Sequence, residues 1–146
     1  MTHSEKRSPE GLGSPYPGSV AIAGGGIGGM ALALSLHDAG FHDVNVYESA
    51  SRVKELGVGI NVLPHATREL TELGLADEVN AVGIPTAEPT YYSTHGQRIW
   101  SEPRGLAAGC RWPQFSIHRG QLLGILHRAV PERLGSERVH PGHQAR

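Results

Sequence analysis

The sequence predicts an α/β fold of the Rossmann-like kind, on three observations that follow one another along the chain. A short apolar stretch, Val20-Ala21-Ile22-Ala23, runs into the glycine turn Gly24-Gly25-Gly26-Ile27-Gly28-Gly29. An apolar helical run comes next, and a second apolar stretch, Val44-Asn45-Val46-Tyr47, ends on Glu48. Strand, glycine turn, helix and a strand ending in a carboxylate form the βαβ start of a dinucleotide site. A glycine turn that only packed a helix on a sheet would leave Glu48, 19 residues after Gly29, without a reason.

Each element has its own ground. Val20 to Ala23 is apolar and partly β-branched, as a buried parallel strand is. In the turn, the G-x-G-x-x-G register falls on Gly24, Gly26 and Gly29. The first permits the sharp turn, the second lets a pyrophosphate approach the backbone, and the third lets helix and strand pack closely. A helix starting here turns its free N–H groups and positive dipole end toward the phosphates. Ile27, Met30, Ala31 and Leu34 keep helical spacing, and Gly40 ends the run. Glu48, at the carboxyl end of the second strand, can accept from ribose hydroxyls and would repel a 2′-phosphate, which disfavours NADP at this site.

Further along, Gly57-Val58-Gly59-Ile60 places a second glycine pair in a strand-like setting, the mark of a close approach by a ligand or another backbone. Leu63, Ala66, Leu70 and Leu73 form a helical stripe that starts at Pro64 and stops at Gly74, and a short helix is predicted over 76–81. An inserted β-hairpin follows, with strands over 90–93 and 97–100, and then an irregular loop over 102–113 carrying Arg104, Arg111 and Trp112. Gln114 to Ile117 reads as a strand leading to Arg119. Leu122, Ile125, Leu126 and Ala129 make another helix, and Glu137 to His140 a last strand.

Composition narrows the partners. The 146 residues carry a net charge of −1 with no long like-charged run, which points away from nucleic acid and acidic membrane surfaces. No apolar run reaches spanning length, and no leader or internal repeat is read. Cys110 is the only cysteine, so a reducing, cytoplasmic setting is expected, with that side chain a small buried hydrophobe. Residues 1–19, rich in Ser, Pro and Gly, read as a disordered extension, and 20–146 as the folded domain. Nine histidines do not imply metal, since the pairs His37/His42 and His140/His143 lack further ligands at a recognised spacing. Tyr91, Tyr92 and Trp100 have no basic patch around them, so hairpin packing is their simpler account. The sequence fixes no oligomeric state.

The pattern resembles the flavin-dependent aromatic hydroxylases of the para-hydroxybenzoate hydroxylase type, and within them the phenazine carboxylate monooxygenase group. The resemblance is carried by Gly24 to Gly29, Tyr47-Glu48, Leu56 to Asn61 with Pro64, Leu73-Gly74-Leu75, Trp100 to Gly105 and Ser116-Ile117-His118-Arg119-Gly120. It runs from about Val20 to His140. It implies an FAD-binding fold, with the FAD pyrophosphate at Gly24, Gly26, Ile27, Gly28 and Gly29 and the adenosine ribose at Glu48. Gly57, Gly59 and Ile60 would run along the flavin, and Arg119 would contact its phosphate or ribose region, a role that suits a planar guanidinium. The contact that relatives make through an arginine before the second glycine pair stays unassigned between Arg52 and Lys54.

By the same resemblance the activity would be hydroxylation of a small aromatic substrate, with NAD(P)H reducing FAD and oxygen as the second substrate. No catalytic side chain is assigned. His95 and His118 are read as structural or surface histidines rather than bases. The family's later Asp-Gly and Gly-Asp segments and its sheet-based substrate domain have no counterpart here, so the chain is expected to be incomplete relative to the family. Two alternatives stand beside this: a catalytically incomplete nucleotide-binding fragment, and an NAD-dependent oxidoreductase.

Overall fold

A computed structural model describes residues 16, 18–51 and 58–143. Most of the extension expected over 1–19, and Gly57 of the second glycine pair, lie outside the described residues. The chain forms strand β1 (Val20–Ala23), helix α1 (Ile27–Asp38), strands β2 (Val44–Glu48) and β3 (Gly59–Val62), helices α2 (Pro64–Glu72) and α3 (Ala76–Val82), and strand β4 (Ile84–Thr86). There follow strands β5 (Thr90–Tyr92) and β6 (Arg98–Ser101), β7 (Gln114–His118), the long helix α4 (Arg119–Leu134) and strand β8 (Val139–Pro141), with 3-10 turns at Gly105–Ala108 and Ser136–Arg138.

The strands divide into three sheets. β1, β2 and β8 are parallel in that order, with Val20 opposite Val44 and Val46 opposite Val139. β3, β7 and β4 form an antiparallel sheet with β7 in the middle, and β5 and β6 make the separate hairpin. α1 lies against β1 and β2 and packs along α4, which in turn reaches β7 and α3. Met30, Ala33 and Leu34 of α1 meet Leu122, Ile125, Leu126, Ala129 and Val130 of α4 in one continuous core with Val44, Val46, Phe115 and Ile117.

Both early helices end in the same way. After α1, Gly40 (φ +94°) donates to the His37 carbonyl and Phe41 to that of Leu36; after α2, Gly74 (φ +72°) donates to Thr71 and Leu75 to Leu70. The positive φ is what glycine supplies without a Cβ penalty, and the paired bonds satisfy carbonyls that the helix leaves open. The predicted helical stripes face the core, with Ile27, Ala31 and Ala66 half-buried and Leu63 at the start of α2 exposed.

Several expectations need correction. Among the described residues β1 lies at the edge of its sheet and buries only Ile22, whereas its apolar composition predicts burial on both faces. The loop over 102–113 contains a 3-10 turn, and the last strand starts two residues later than predicted because residues 136–138 form a second one. β4 escapes the sequence reading: it is three residues long and contains Pro85, tolerated because the strand is an edge. Cys110 is exposed, not a buried hydrophobe. It follows the left-handed Gly109 in a connecting segment, and such segments run over the surface.

Candidate dinucleotide site at the glycine turn

β1 delivers the chain to a turn whose glycines meet different surroundings. Gly24 (φ +113°) donates its N–H to the Tyr47 carbonyl at 2.7 Å, extending the β1–β2 ladder by one residue. A Cβ on Gly29 would fall inside the radius of the Gly24 carbonyl oxygen and 3.3 Å from the Ile22 side chain, so only glycine lets α1 start this close to β1. Gly26 is the N-cap of α1 with an extended backbone, and Ile27 opens the helix with its side chain packed on the core. Cβ atoms on Gly26 or Gly28 would meet nothing within 4 Å. The turn is therefore closed toward the strand and open where a phosphate would approach the N-terminus of α1.

Glu48 closes the turn from the other side. Its Oε2 accepts from the Gly25 N–H at 2.7 Å, while its Oε1 accepts from the Ala50 N–H at 2.8 Å and from the Ser49 hydroxyl at 3.2 Å. The backbone bond from Ala50, followed by that from Gly25, holds the carboxyl below its ordinary range, so it is anionic at neutral pH. An ionised carboxylate has about four acceptor positions, and the single bond at Oε2 leaves capacity for a sugar hydroxyl.

The second cluster forms through β-pairing. β3 runs antiparallel to β7 with Gly59 opposite His118 and Ile60 opposite Ile117, and the Arg119 N–H donates to the Val58 carbonyl at 3.0 Å. Gly59 is exposed, and a Cβ there would meet nothing within 4 Å. Ile60 and Arg119 are half-buried, and Arg119 is the first residue of α4. His118 caps that helix, its Nδ1 accepting from the Gly120 N–H at 3.2 Å, and His95 sits exposed in the hairpin turn. Ile27 and Ile60 line one cleft of about 400 Å³ between α1, β3 and α2, so the two glycine segments border a common space; the glycines and Arg119 lie outside its lining.

One residue at the turn is absent from the sequence reading. His127 of α4 places Nε2 2.7 Å from the Gly25 carbonyl oxygen, across 102 residues of sequence. No motif surrounds it, and only the packing of α4 along α1 brings it there.

The turn, with its open glycine face and anionic Glu48, fits the pyrophosphate and ribose of a dinucleotide. No protein-family model matches the chain. It is 50% identical over 123 residues to the phenazine 1,6-dicarboxylic acid hydroxylase of Lysobacter antibioticus, covering 84% of this chain and 30% of that protein. Among solved structures, 2,6-dihydroxypyridine-3-hydroxylase from Arthrobacter nicotinovorans superposes with a TM-score of 0.65 at 30% identity, over 88% of this chain and 30% of that one. Klebsiella pneumoniae HpxO, solved with FAD and uric acid, gives 0.67 at 25% identity, over 86% and 31%. The chain thus spans about 30% of the length of the proteins it matches. Over that span its sequence and fold are similar to those of FAD-dependent aromatic monooxygenases, whose Rossmann-like fold it matches in part.

Proposed function

We propose that this chain holds FAD at the glycine turn, as part of a flavin-dependent monooxygenase that hydroxylates a small aromatic substrate using NAD(P)H and oxygen. The observation that carries the reading is the turn itself: Gly29 bare against the Gly24 carbonyl, open space at Gly26 and Gly28, and Glu48 anionic at the end of β2. In this reading residues 20–146 make up the FAD-holding unit and residues 1–19 lie outside it. The protein would work in the cytoplasm, where a lone cysteine needs no oxidising compartment.

When bound, FAD supplies the redox and oxygen-transfer chemistry, and the protein supplies position and shielding from water. The N-terminus of α1 would face the pyrophosphate with its free N–H groups, and Glu48 would accept from the adenosine ribose. Gly59 and Ile60 would lie along the flavin, and Arg119 would reach its phosphate or ribose region. Gly57 belongs to the same proposed edge. The reductant and the aromatic ring would be bound in part by residues beyond those matched here, since relatives are about three times as long.

The test is to express residues 1–146 and titrate FAD and NAD separately while following the melting temperature. FAD at a hundred times its Kd should add about 2.7 kcal/mol of stability, and NAD should add less. A colourless protein with no FAD-induced shift would refute the assignment. A larger shift with NAD would favour the NAD-dependent oxidoreductase instead.

A further inference from the structure

Gly24, Gly25 and Gly26 form the least restrained stretch of backbone a chain can have, since none carries a Cβ to limit φ and ψ. A site that depends on the direction of one N–H in that stretch needs something outside it to fix the peptide planes. Glu48 fixes the first plane: the Gly25 N–H points at its Oε2, so the Gly24 carbonyl in the same plane points the opposite way, toward α1 at Gly29.

The next plane, between Gly25 and Gly26, has no such partner within β1, α1 or β2. Its carbonyl oxygen accepts from His127 Nε2 at 2.7 Å. An oxygen has only lone pairs to offer, so Nε2 carries the proton. The peptide bonds are trans, and the Gly26 N–H therefore points away from α4. That N–H makes no hydrogen bond among the described residues, and a Cβ on Gly26 would meet nothing within 4 Å.

We propose that His127 is a positioning residue of the dinucleotide site: by holding the Gly25 carbonyl, it aims the Gly26 N–H at the ligand's pyrophosphate. The inference rests on the FAD reading above and deepens it. Gly25 is buried, so losing the imidazole leaves a carbonyl without a partner. With glycine on either side, the plane then rotates to find one, and the Gly26 N–H turns with it.

The experiment measures FAD affinity of the chain by quenching of flavin fluorescence, for the wild type, His127→Leu and His127→Gln, beside the melting temperature of each without cofactor. His127→Leu should weaken FAD binding about tenfold, the loss of roughly one hydrogen bond, whereas His127→Gln, whose side-chain N–H can reach the same carbonyl, should stay within about threefold of wild type. A Leu variant that binds like wild type overturns the inference. So does a folded Gln variant as weak as the Leu one. A wild type that binds no FAD instead overturns the reading on which the inference rests. A readout without cofactor separates the two: NMR of the neutral His127 ring should show the proton on Nε2, and a bare Nε2 overturns the clamp whatever FAD does.

Discussion

At the glycine turn, the Gly25 peptide is held by Glu48 from 23 residues away and by His127 from 102 residues away. In the β5–β6 hairpin, the side chains of Thr90 and Arg98 donate to Glu88 and Ser101, and the Ser93 hydroxyl oxygen accepts from the His95 and Gln97 N–H groups, all over two to four residues. Tyr91, Tyr92, Ile99 and Trp100 remain exposed there, with Tyr91 and Trp100 rings 5.5 Å apart as the main aromatic contact. One region owes its geometry to the rest of the fold, and the other largely makes its own. Damage to the first should therefore spread to both stability and ligand binding, while damage to the second should stay local.

The most severe way to break the turn is Gly29→Ala. Its Cβ collides with backbone rather than with a flexible side-chain end, so α1 must move off β1. Urea denaturation should show a loss of about 3 kcal/mol, at the upper end for an overpacked site, together with loss of FAD binding. Unchanged stability would show that α1 can shift freely, and the contrast with the hairpin would weaken.

Glu48→Gln is the next in size, and its pH dependence sharpens the argument. The folded carboxyl is held below its ordinary value of 4.5 by the Ala50 and Gly25 N–H groups. A depressed carboxyl contributes stability that is fully present above the unfolded value and is lost as the pH falls through the folded one. The stability gap between wild type and Glu48→Gln should thus be steady near neutrality and narrow below pH 4.5, as measured by denaturation at stepped pH. A gap that persists in acid would mean that the anion does not hold the turn. FAD binding of the variant should weaken at neutral pH as well.

The smallest effect is expected in the hairpin. Trp100→Ala removes one partner of a half-exposed ring pair and should cost at most about 1 kcal/mol, with FAD affinity unchanged. A loss of FAD binding in that variant would show that the hairpin is coupled to the turn after all.

The same division explains what could be read from the sequence. The strand–turn–helix–strand start, the capping glycines Gly40 and Gly74 and the α4 stripe are local patterns, written in spacings of a few residues. The strands of the hairpin were legible for the same reason, to within a residue at their ends. β4 was not, because Ile84-Pro85-Thr86 becomes a strand only by pairing with β7, where Ile84 meets Ser116 32 residues later. Nor was the exposure of Cys110, which depends on where a loop runs. Of the candidate site, Gly24, Gly26, Gly29 and Glu48 could be placed by motif, whereas the meeting of Gly59 with His118 required the β3–β7 register. His127 left no trace in the sequence, since a lone histidine on a helix acquires its partner only when α4 docks beside α1.

β8 has a consequence for how the chain acquires its shape. It lies parallel to β2, with Val139 beside Val46 and Pro141 beside Glu48, so this pairing closes a loop of more than ninety residues. Such a closure is slow in entropic terms. During synthesis, β1 and β2 can meet as soon as both have emerged, but β2 keeps an unpaired edge until the ribosome has released the chain past Pro141. Through that interval the nascent strand carrying Glu48 is the exposed template for wrong partners, and a chaperone that shields it would raise the yield of folded protein.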